Sequence, residues 1–296
     1  MTLPAADDRY IHVPLFEDYA ARISDEMPEP KWSDPIGWSA AIRQTADLVS
    51  PDLLTVSGQE VLTRDLEPAT TGPITDLDFA DSLGEPTDAF VETVTITADV
   101  RDEPVLSIIP DPVTLCVECF GDAWLDLLDT DEFAALDTLH HVSQVLTDLI
   151  RAHGGTVAGL VLTYGGLKAA LDRGLRLEDA MLETGAVFNV ADHHDLSVVG
   201  RLPPRLRESA EDIEAHVDAL VFDVVPRDDL TALDTFNVQT GGGFPETVWN
   251  RQEPSFRDEL TAYLEALPAS FVLMPTIPAG VDPERVQLYR ELITNR

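Results

Sequence analysis

The sequence predicts an α/β protein built as a single (β/α)8 barrel. The stretch from Glu103 to Gly165 has the pattern of a buried strand, a loop, a long amphipathic helix and a second buried strand, which is a βαβ crossover between parallel strands. Eight apolar runs along the chain mostly alternate with helical patterns. The 296 residues contain no obvious linker, which favours one large domain. A doubly wound open sheet is the alternative, although no GxGxxG or Walker-type loop follows an early strand.

The predicted elements follow in chain order. Residues 1–35 are rich in proline and acidic residues and predict an irregular N-terminal arm with a short helix over Phe16–Ile23; the barrel is predicted over residues 36–296, with a first helix over Pro35–Leu48. The predicted strands are Leu53–Val56, Val91–Thr97, Val105–Ile109, Val157–Thr163, Ala186–Val190, Ala219–Val225, Thr235–Gln239 and Phe271–Pro275. The later predicted helices are Asp131–Ala152, Leu167–Glu183, Leu206–His216, Ser255–Leu267 and Asp282–Thr294.

The chain is strongly acidic along its whole length. It carries 54 acidic and 19 basic residues, a formal net charge of -35, and its only lysines are Lys31 and Lys168. Because 44% of residues are hydrophobic and fall in periodic runs, we interpret the charge as the surface of a halophilic protein rather than as disorder. Such a charge argues against binding to nucleic acids or anionic membranes. The absence of a long apolar run and of a signal-like N-terminus predicts a cytoplasmic protein with a small-molecule substrate.

The ends of the predicted strands hold candidate catalytic residues. Asp111 and Tyr164 end neighbouring strands, so a carboxylate and a phenol can face one pocket and do acid/base work, although aspartate between prolines is also ordinary turn chemistry. Glu118 is expected to reach the barrel mouth. It lies between Cys116 and Cys119, whose spacing fits either a redox pair or two small buried hydrophobes.

A polar run is predicted to follow the fifth strand. Asp192, His193, His194 and Asp195 can bind a metal, perform acid/base or substrate contacts, or form a plain solvated turn. Adjacent residues of an extended segment point in opposite directions, so one metal rarely takes both histidines.

A triple glycine is predicted to follow the seventh strand. Gly241, Gly242 and Gly243 allow a close backbone approach to an anion, but a flexible loop has the same composition. Asp223, Asn237 and Gln239 are predicted on or just beyond strands six and seven. They favour substrate binding if they lie at the top of the barrel and a structural role if they lie at the bottom.

Four passages resemble the uroporphyrinogen decarboxylase superfamily, which also contains corrinoid and methylcobamide methyltransferases and the catalytic part of cobalamin-independent methionine synthase. Glu103–Leu115 resembles the family's strand and its Gly-Pro-hydrophobic-Thr-Leu turn, with Asp111 in place of glycine. His153–Leu162 is similar to the next strand, and Ile277–Val286 is similar to the closing Ile-Pro-x-x-Thr-Pro-Glu-Asn-Val segment. Ala46–Val56 adds a weaker likeness near the start.

The sequence also departs from the family's motifs. The arginine-rich segment that grips porphyrinogen carboxylates survives only as Arg43-Gln44, so uroporphyrinogen itself is a poor substrate candidate. The zinc-binding His-x-Cys of the methyltransferases appears as Asn189 and Ala191, and the late cysteine is missing. The family zinc site therefore cannot be transferred, and a variant zinc site would have to use His193 and His194.

The resemblance implies one-carbon chemistry in a barrel mouth. The leading hypothesis is a methyltransferase that acts on a corrinoid, a folate-like carrier or a thiol. One alternative is a decarboxylase of a tetrapyrrole or another carboxylated substrate, with Asp111 or Asp192 stabilising a protonated intermediate. The other is a barrel without catalysis that binds a ligand or a partner.

Overall fold

The computed structural model describes residues 10–25, 27–66 and 83–294. Within them, one parallel sheet of eight strands has the order β1-β8-β7-β6-β5-β4-β3-β2. The strands are β1 Ile11–His12, β2 Leu54–Ser57, β3 Val105–Pro110, β4 Gly159–Thr163, β5 Ser197–Leu202, β6 Ala219–Phe222, β7 Gln239–Gly242 and β8 Val272–Leu273. Such an order, with neighbours in sequence also neighbours in space, is that of a TIM-like fold and confirms the predicted α/β class.

Helices follow most of the strands. They are α1 Glu17–Ile23, α2 Pro35–Val49, α3 Gln59–Leu66, α4 Glu85–Val100, α5 Pro112–Phe120, α6 Asp122–Thr130, α7 Glu132–His153, α8 Leu167–Asp172, α9 Leu177–His193, α10 Ala210–Glu214, α11 Glu253–Glu265 and α12 Pro283–Thr294. The long predicted helix is α7, and Asp131 caps it by accepting a hydrogen bond from the backbone N–H of Ala134 at 3.2 Å. Every helix in residues 10–25, 27–66 and 83–294 is too short or too polar to traverse a bilayer.

Two predicted strands are helical and a third is misplaced. Val91–Thr97 lies inside α4, and Ala186–Val190 lies inside α9. Thr235–Gln239 overlaps β7 only at Gln239, because Thr235 still belongs to a 3-10 helix. The two helical segments are rich in alanine, valine or threonine, but their buried positions recur at helical spacing. In α4 these are Phe90, Thr93, Val94 and Thr97.

Two strands were not predicted. Strand β1 lies within the predicted N-terminal arm and pairs with β8, so part of that arm belongs to the sheet. The division into an arm of residues 1–35 and a barrel domain stays a prediction. Strand β5 begins only after α9 and pairs with β4 and β6.

The sheet curls so that β1 contacts the residues just before β2. The backbone N–H of Asp52 donates to the His12 carbonyl at 2.8 Å, and the Asp52 carboxylate accepts from the His12 N–H at 2.8 Å. These bonds join β1 to the residues before β2 without a strand ladder, so a fully closed barrel remains an expectation.

Curling divides the core into two layers. Alternate residues of the strands, such as Leu106, Ile108, Val161, Val199 and Val221, form one buried cluster on the concave side of the sheet. A larger cluster lies between the convex side and the helices. Because the strands are parallel, their carboxyl ends share one rim of the curled sheet, which is where enzymes of this architecture place their active sites.

Candidate active site

A cavity of about 800 Å³ opens at the carboxyl ends of the strands. Thr55 and Ser57 of β2, Ile108 of β3 and Arg201 of β5 contribute to its walls from the sheet. Helices α3 and α5 and the segment around α1 complete it. A volume of this size is typical of small-molecule sites.

An ion-paired network built on Glu17 forms one wall of the cavity. One carboxylate oxygen of Glu17 accepts from Lys31 Nζ at 3.1 Å and from Trp38 Nε1 at 2.9 Å, and the other accepts from the Ser57 backbone N–H at 3.0 Å. Lys31 also pairs with Glu60 at 3.2 Å. Burial raises the pKa of Glu17, although Lys31 opposes that rise. Burial alone would lower the pKa of Lys31, but Glu17 and Glu60 outweigh it and hold the lysine charged.

Glu118 lines the same cavity from α5. Its carboxylate accepts hydrogen bonds from Gln59 Nε2 and, at 3.4 Å, from Thr63 Oγ1, both on α3. Glu118 is exposed at the cavity, and partial desolvation by the surrounding protein raises its pKa, while the bonds from Gln59 and Thr63 offset part of that rise. The predicted position at the barrel mouth therefore agrees with the structure, and a catalytic role remains to be tested.

Arg201 and Asp223 form an ion pair on the other side of the cavity. Arg201 Nε lies 2.8 Å from Asp223 Oδ1, which places Asp223 at the carboxyl end of β6 as predicted. Burial raises the pKa of Asp223, against the opposing effect of Arg201 and Arg205. The residues that line the cavity thus include both cations and carboxyl groups.

Asp111 and Tyr164 are neighbours, but neither lines this cavity. Asp111 is buried at the start of α5, where its carboxylate accepts from the backbone N–H groups of Thr114 at 3.0 Å and Val113 at 3.3 Å. Tyr164 is buried in the layer between the sheet and the helices, and its hydroxyl has no hydrogen-bond partner among the described residues. The expectation that both face one pocket is wrong for this cavity, because Asp111 caps a helix and Tyr164 points to the convex side.

The polar run at residues 192–195 lies at the opposite end of the sheet. Asp192 and His193 end α9 and His194 caps it, so the run precedes β5 instead of following a strand. The prediction of a strand-end site is therefore wrong, because Ala186–Val190, the segment predicted as the preceding strand, is part of helix α9. The cavity lies at the other rim of the sheet, so these residues do not line it.

No described residues fit a zinc ion. Nowhere in the described part of the chain do three or more His, Cys, Asp or Glu side chains gather as a metal-binding group. Cys116 and Cys119 form no disulfide bond, and burial raises the pKa of Cys116 well above its ordinary value. A buried thiol of that kind is a packing residue rather than a zinc ligand or redox centre.

The predicted glycine loop is a strand. Gly241 and Gly242 belong to β7, and a Cβ at Gly241 would lie 2.2 Å from the carbonyl oxygen of Val272 on β8. The prediction of an anion-binding loop fails because these glycines, with Gly243, let neighbouring backbones pack closely.

Asn237 and Gln239 lie at the amino end of β7. Asn237 donates to Glu214 from its backbone N–H at 3.0 Å and from its side chain at 2.6 Å, and Gln239 donates to the Ser270 carbonyl at 2.5 Å. The structure supports a structural role for Asn237 and Gln239 rather than substrate binding, because β7 starts at Gln239 instead of ending there.

The sequence interpretation missed Glu17, Lys31 and Arg201. Arg201 follows Val199 by two residues in a run that ends at Pro203-Pro204, which is the pattern of a strand with a polar inward end, but the helical segment before it had been assigned as the strand. Lys31 is one of two lysines in an acidic chain, and that rarity was the available signal.

Fold and cavity together define an α/β protein of the TIM-like class with a small-molecule site at the strand ends. No protein-family model and no curated protein matches the chain. Among solved structures, it is similar to a methyltransferase from Methanosarcina mazei, with a TM-score of 0.73 and 13% identity over 98% of this chain and 94% of that one. At this identity the likeness shows a shared fold, and the resemblance to uroporphyrinogen decarboxylases in particular remains a prediction.

Proposed function

We propose that this protein transfers a methyl group between small molecules bound in the cavity at the strand ends. The observation that carries the proposal is Glu118, a carboxyl group of raised pKa that opens into this cavity. The fold shared with a methyltransferase along nearly the whole chain supports methyl transfer as the reaction type. The sequence resemblance supports a corrinoid, a folate-like carrier or a thiol as one of the two reactants.

Glu118 supplies the proton that this reaction needs. When a methyl group leaves oxygen or nitrogen for a nucleophile, the electron pair of the broken bond stays on the heteroatom, which must then gain a proton. A protonated Glu118 gives up that proton and becomes a carboxylate. Gln59 already donates to one of its oxygens, and the Thr63 hydroxyl, which can donate either to the Gln59 carbonyl or to Glu118, lies 3.4 Å from the other, so the product carboxylate is stabilised where it forms.

The two alternatives have less support in this cavity. The decarboxylase hypothesis relied on Asp111 or Asp192; the first is buried at a helix start and the second lies at the other end of the sheet. A barrel that only binds a ligand would keep the cavity and lack turnover, and an assay separates it from an enzyme.

The test is a methyl-transfer assay on wild type and Glu118→Gln. Methyl-labelled methoxy and methylamino compounds serve as donors, and a thiol and reduced cobalamin serve as acceptors. We expect Glu118→Gln to lower the rate by roughly 10²- to 10⁴-fold, which is the usual contribution of a general acid.

The control is Glu211→Gln, which removes an exposed carboxylate in the first turn of α10. Its rate should equal that of wild type. Equal rates in Glu118→Gln and wild type would refute the role of Glu118. Absence of transfer from every donor would favour the binding protein.

A further inference from the structure

Arg201 has a defined place on the concave side of the sheet. It follows Val199 by two residues on β5, so it lies on the same face of the sheet as Val199, which belongs to the concave cluster. It is the residue before the last one of the strand. Its side chain is 21% exposed, and that exposure is to the cavity it lines. The guanidinium is therefore partly desolvated and still accessible to a ligand.

Asp223 pairs with this guanidinium by charge and leaves its donors available. Arg201 Nε lies 2.8 Å from Asp223 Oδ1, but its N–H makes no hydrogen bond with the described residues. A guanidinium has five N–H donors, so the four on the two Nη atoms remain for a ligand, and their fork matches a carboxylate. Arg205, whose charge also acts on Asp223, donates to the Gly165 carbonyl at 2.5 Å. Two arginines therefore act on one aspartate, and of these three residues Arg201 lines the cavity.

The acidic groups that line the cavity belong to other elements than β5. Lys31 pairs with both Glu17 and Glu60, Glu118 accepts hydrogen bonds from α3, and Asp18 and Arg64 add one charge of each sign. Strands β3 and β4 separate β2 from β5 in the sheet order. The cavity is therefore polarised, with Arg201 at one side and the Glu118 proton donor at another.

Between the charged walls the surface is apolar. Leu15, Phe16, Trp32, Ile108 and Ile277 all line the cavity. A ligand with a hydrophobic body removes apolar surface from water against these side chains, which favours its binding.

We propose that the cavity takes an organic anion, with its carboxylate bound by Arg201 and a compact apolar body against Leu15, Ile108 and Ile277. The inference rests on the proposed function and names the substrate class: the methyl-bearing end of such a molecule would face Glu118. Arg201 is then the residue that selects carboxylates over neutral analogues.

The experiment is a calorimetric binding series that needs no methyl transfer. Four carboxylates of increasing size, from propionate to naphthoate, are each compared with the matching primary amide at one fixed salt concentration. We expect wild type to bind at least one carboxylate about 10- to 100-fold more tightly than its amide, and Arg201→Gln to abolish that preference.

Matched variants separate charge from folding. Arg201→Gln with Asp223→Asn removes both members of the ion pair and leaves no unpaired carboxylate, so it should also lack the preference. Arg201→Lys keeps the charge without the fork and should retain part of it. Arg176→Gln makes the same charge change at an exposed position before α9 and should bind as wild type does.

The two proposals fail in different ways. No preference for any carboxylate in wild type, or an undiminished preference in Arg201→Gln, overturns the anion site. Carboxylate binding that depends on Arg201, with no methyl transfer in the assay above, keeps the anion site and overturns the methyltransferase.

Discussion

Asp111 is a buried carboxyl group whose protonation should couple to folding. Burial raises its pKa from 3.8 to about 7, despite the hydrogen bonds from Thr114 and Val113. Between these two values the folded chain binds more protons than the unfolded chain. The stability that Asp111 contributes is therefore fully present below pH 3.8 and is lost as the pH rises through 7, at up to about 1.4 kcal/mol per pH unit.

Asp111→Asn should remove this dependence, because asparagine does not titrate. Its one side-chain oxygen still accepts the hydrogen bond from the Thr114 N–H, and the bond from Val113 to the second oxygen is lost at every pH. Urea unfolding from pH 5 to 8 measures it: the stability of the variant relative to wild type should rise with pH up to about pH 7 and then level off. Gly155→Ala, which changes no titratable group, should show a difference that does not change with pH. A pH-independent difference for Asp111→Asn would contradict the account.

Sequence patterns located single residues well only where the strand was assigned correctly. Glu118 and Asp223 follow β3 and β6, which were predicted, and both lie where expected. His193 and Gln239 were placed relative to strand ends that the structure puts elsewhere. In the sequence, about a hundred residues separate Glu17 from Glu118, and about eighty separate Glu118 from Arg201. Only the curl of the sheet brings the three to one cavity.

At the scale of elements, strand β7 depends on its glycines for packing. A Cβ at Gly241 would meet the Val272 carbonyl oxygen at 2.2 Å and the Val272 Cβ at 2.6 Å, and backbone atoms of a central strand cannot move aside. We expect Gly241→Ala to destabilise the fold by about 1–3 kcal/mol or more, as overpacking does.

Gly155→Ala is the matched control, since a Cβ there meets nothing within 4 Å. Its unfolding free energy should stay within roughly 0.5 kcal/mol of wild type. Chemical denaturation of the two variants side by side measures both. If Gly241→Ala were as stable as Gly155→Ala, the triple glycine would again be open to the anion-loop interpretation.

The order of elements was predictable where strands are continuous apolar runs. Strands β3, β4 and β6 have that pattern, and α7 has a clear cap and period. Strand β5 contains Gly200 and Arg201, and β7 is half glycine, so neither reads as a hydrophobic run. Short runs of valine and threonine are compatible with both strands and helices. The two are distinguished only when the spacing of the buried residues is followed over more than one helical turn.

For the whole molecule, the net charge of -35 should make stability depend on salt. Repulsion among 54 acidic side chains weakens the compact state until counterions screen it, and the Debye length falls to about 3 Å at about 1 M salt. Exposed ion pairs, such as Arg173 with Asp126 and Asp129, lose strength in the same salt but contribute little.

We therefore expect the unfolding midpoint to rise as potassium chloride increases from dilute buffer to several molar. Thermal unfolding followed by circular dichroism measures it, with sucrose of equal osmolality as the control for general exclusion from the surface. A midpoint that falls with salt, or that rises equally in sucrose, would contradict the halophilic interpretation.

The central claim is that Glu118 delivers a proton during methyl transfer in the strand-end cavity. The most direct measurement is the pH dependence of kcat/KM for methyl transfer in wild type and Glu118→Gln. Wild type should lose activity as the pH rises through the pKa of Glu118, which burial raises above its ordinary value, while the residual activity of Glu118→Gln should lack that limb. The same pH profile in both proteins would contradict the claim.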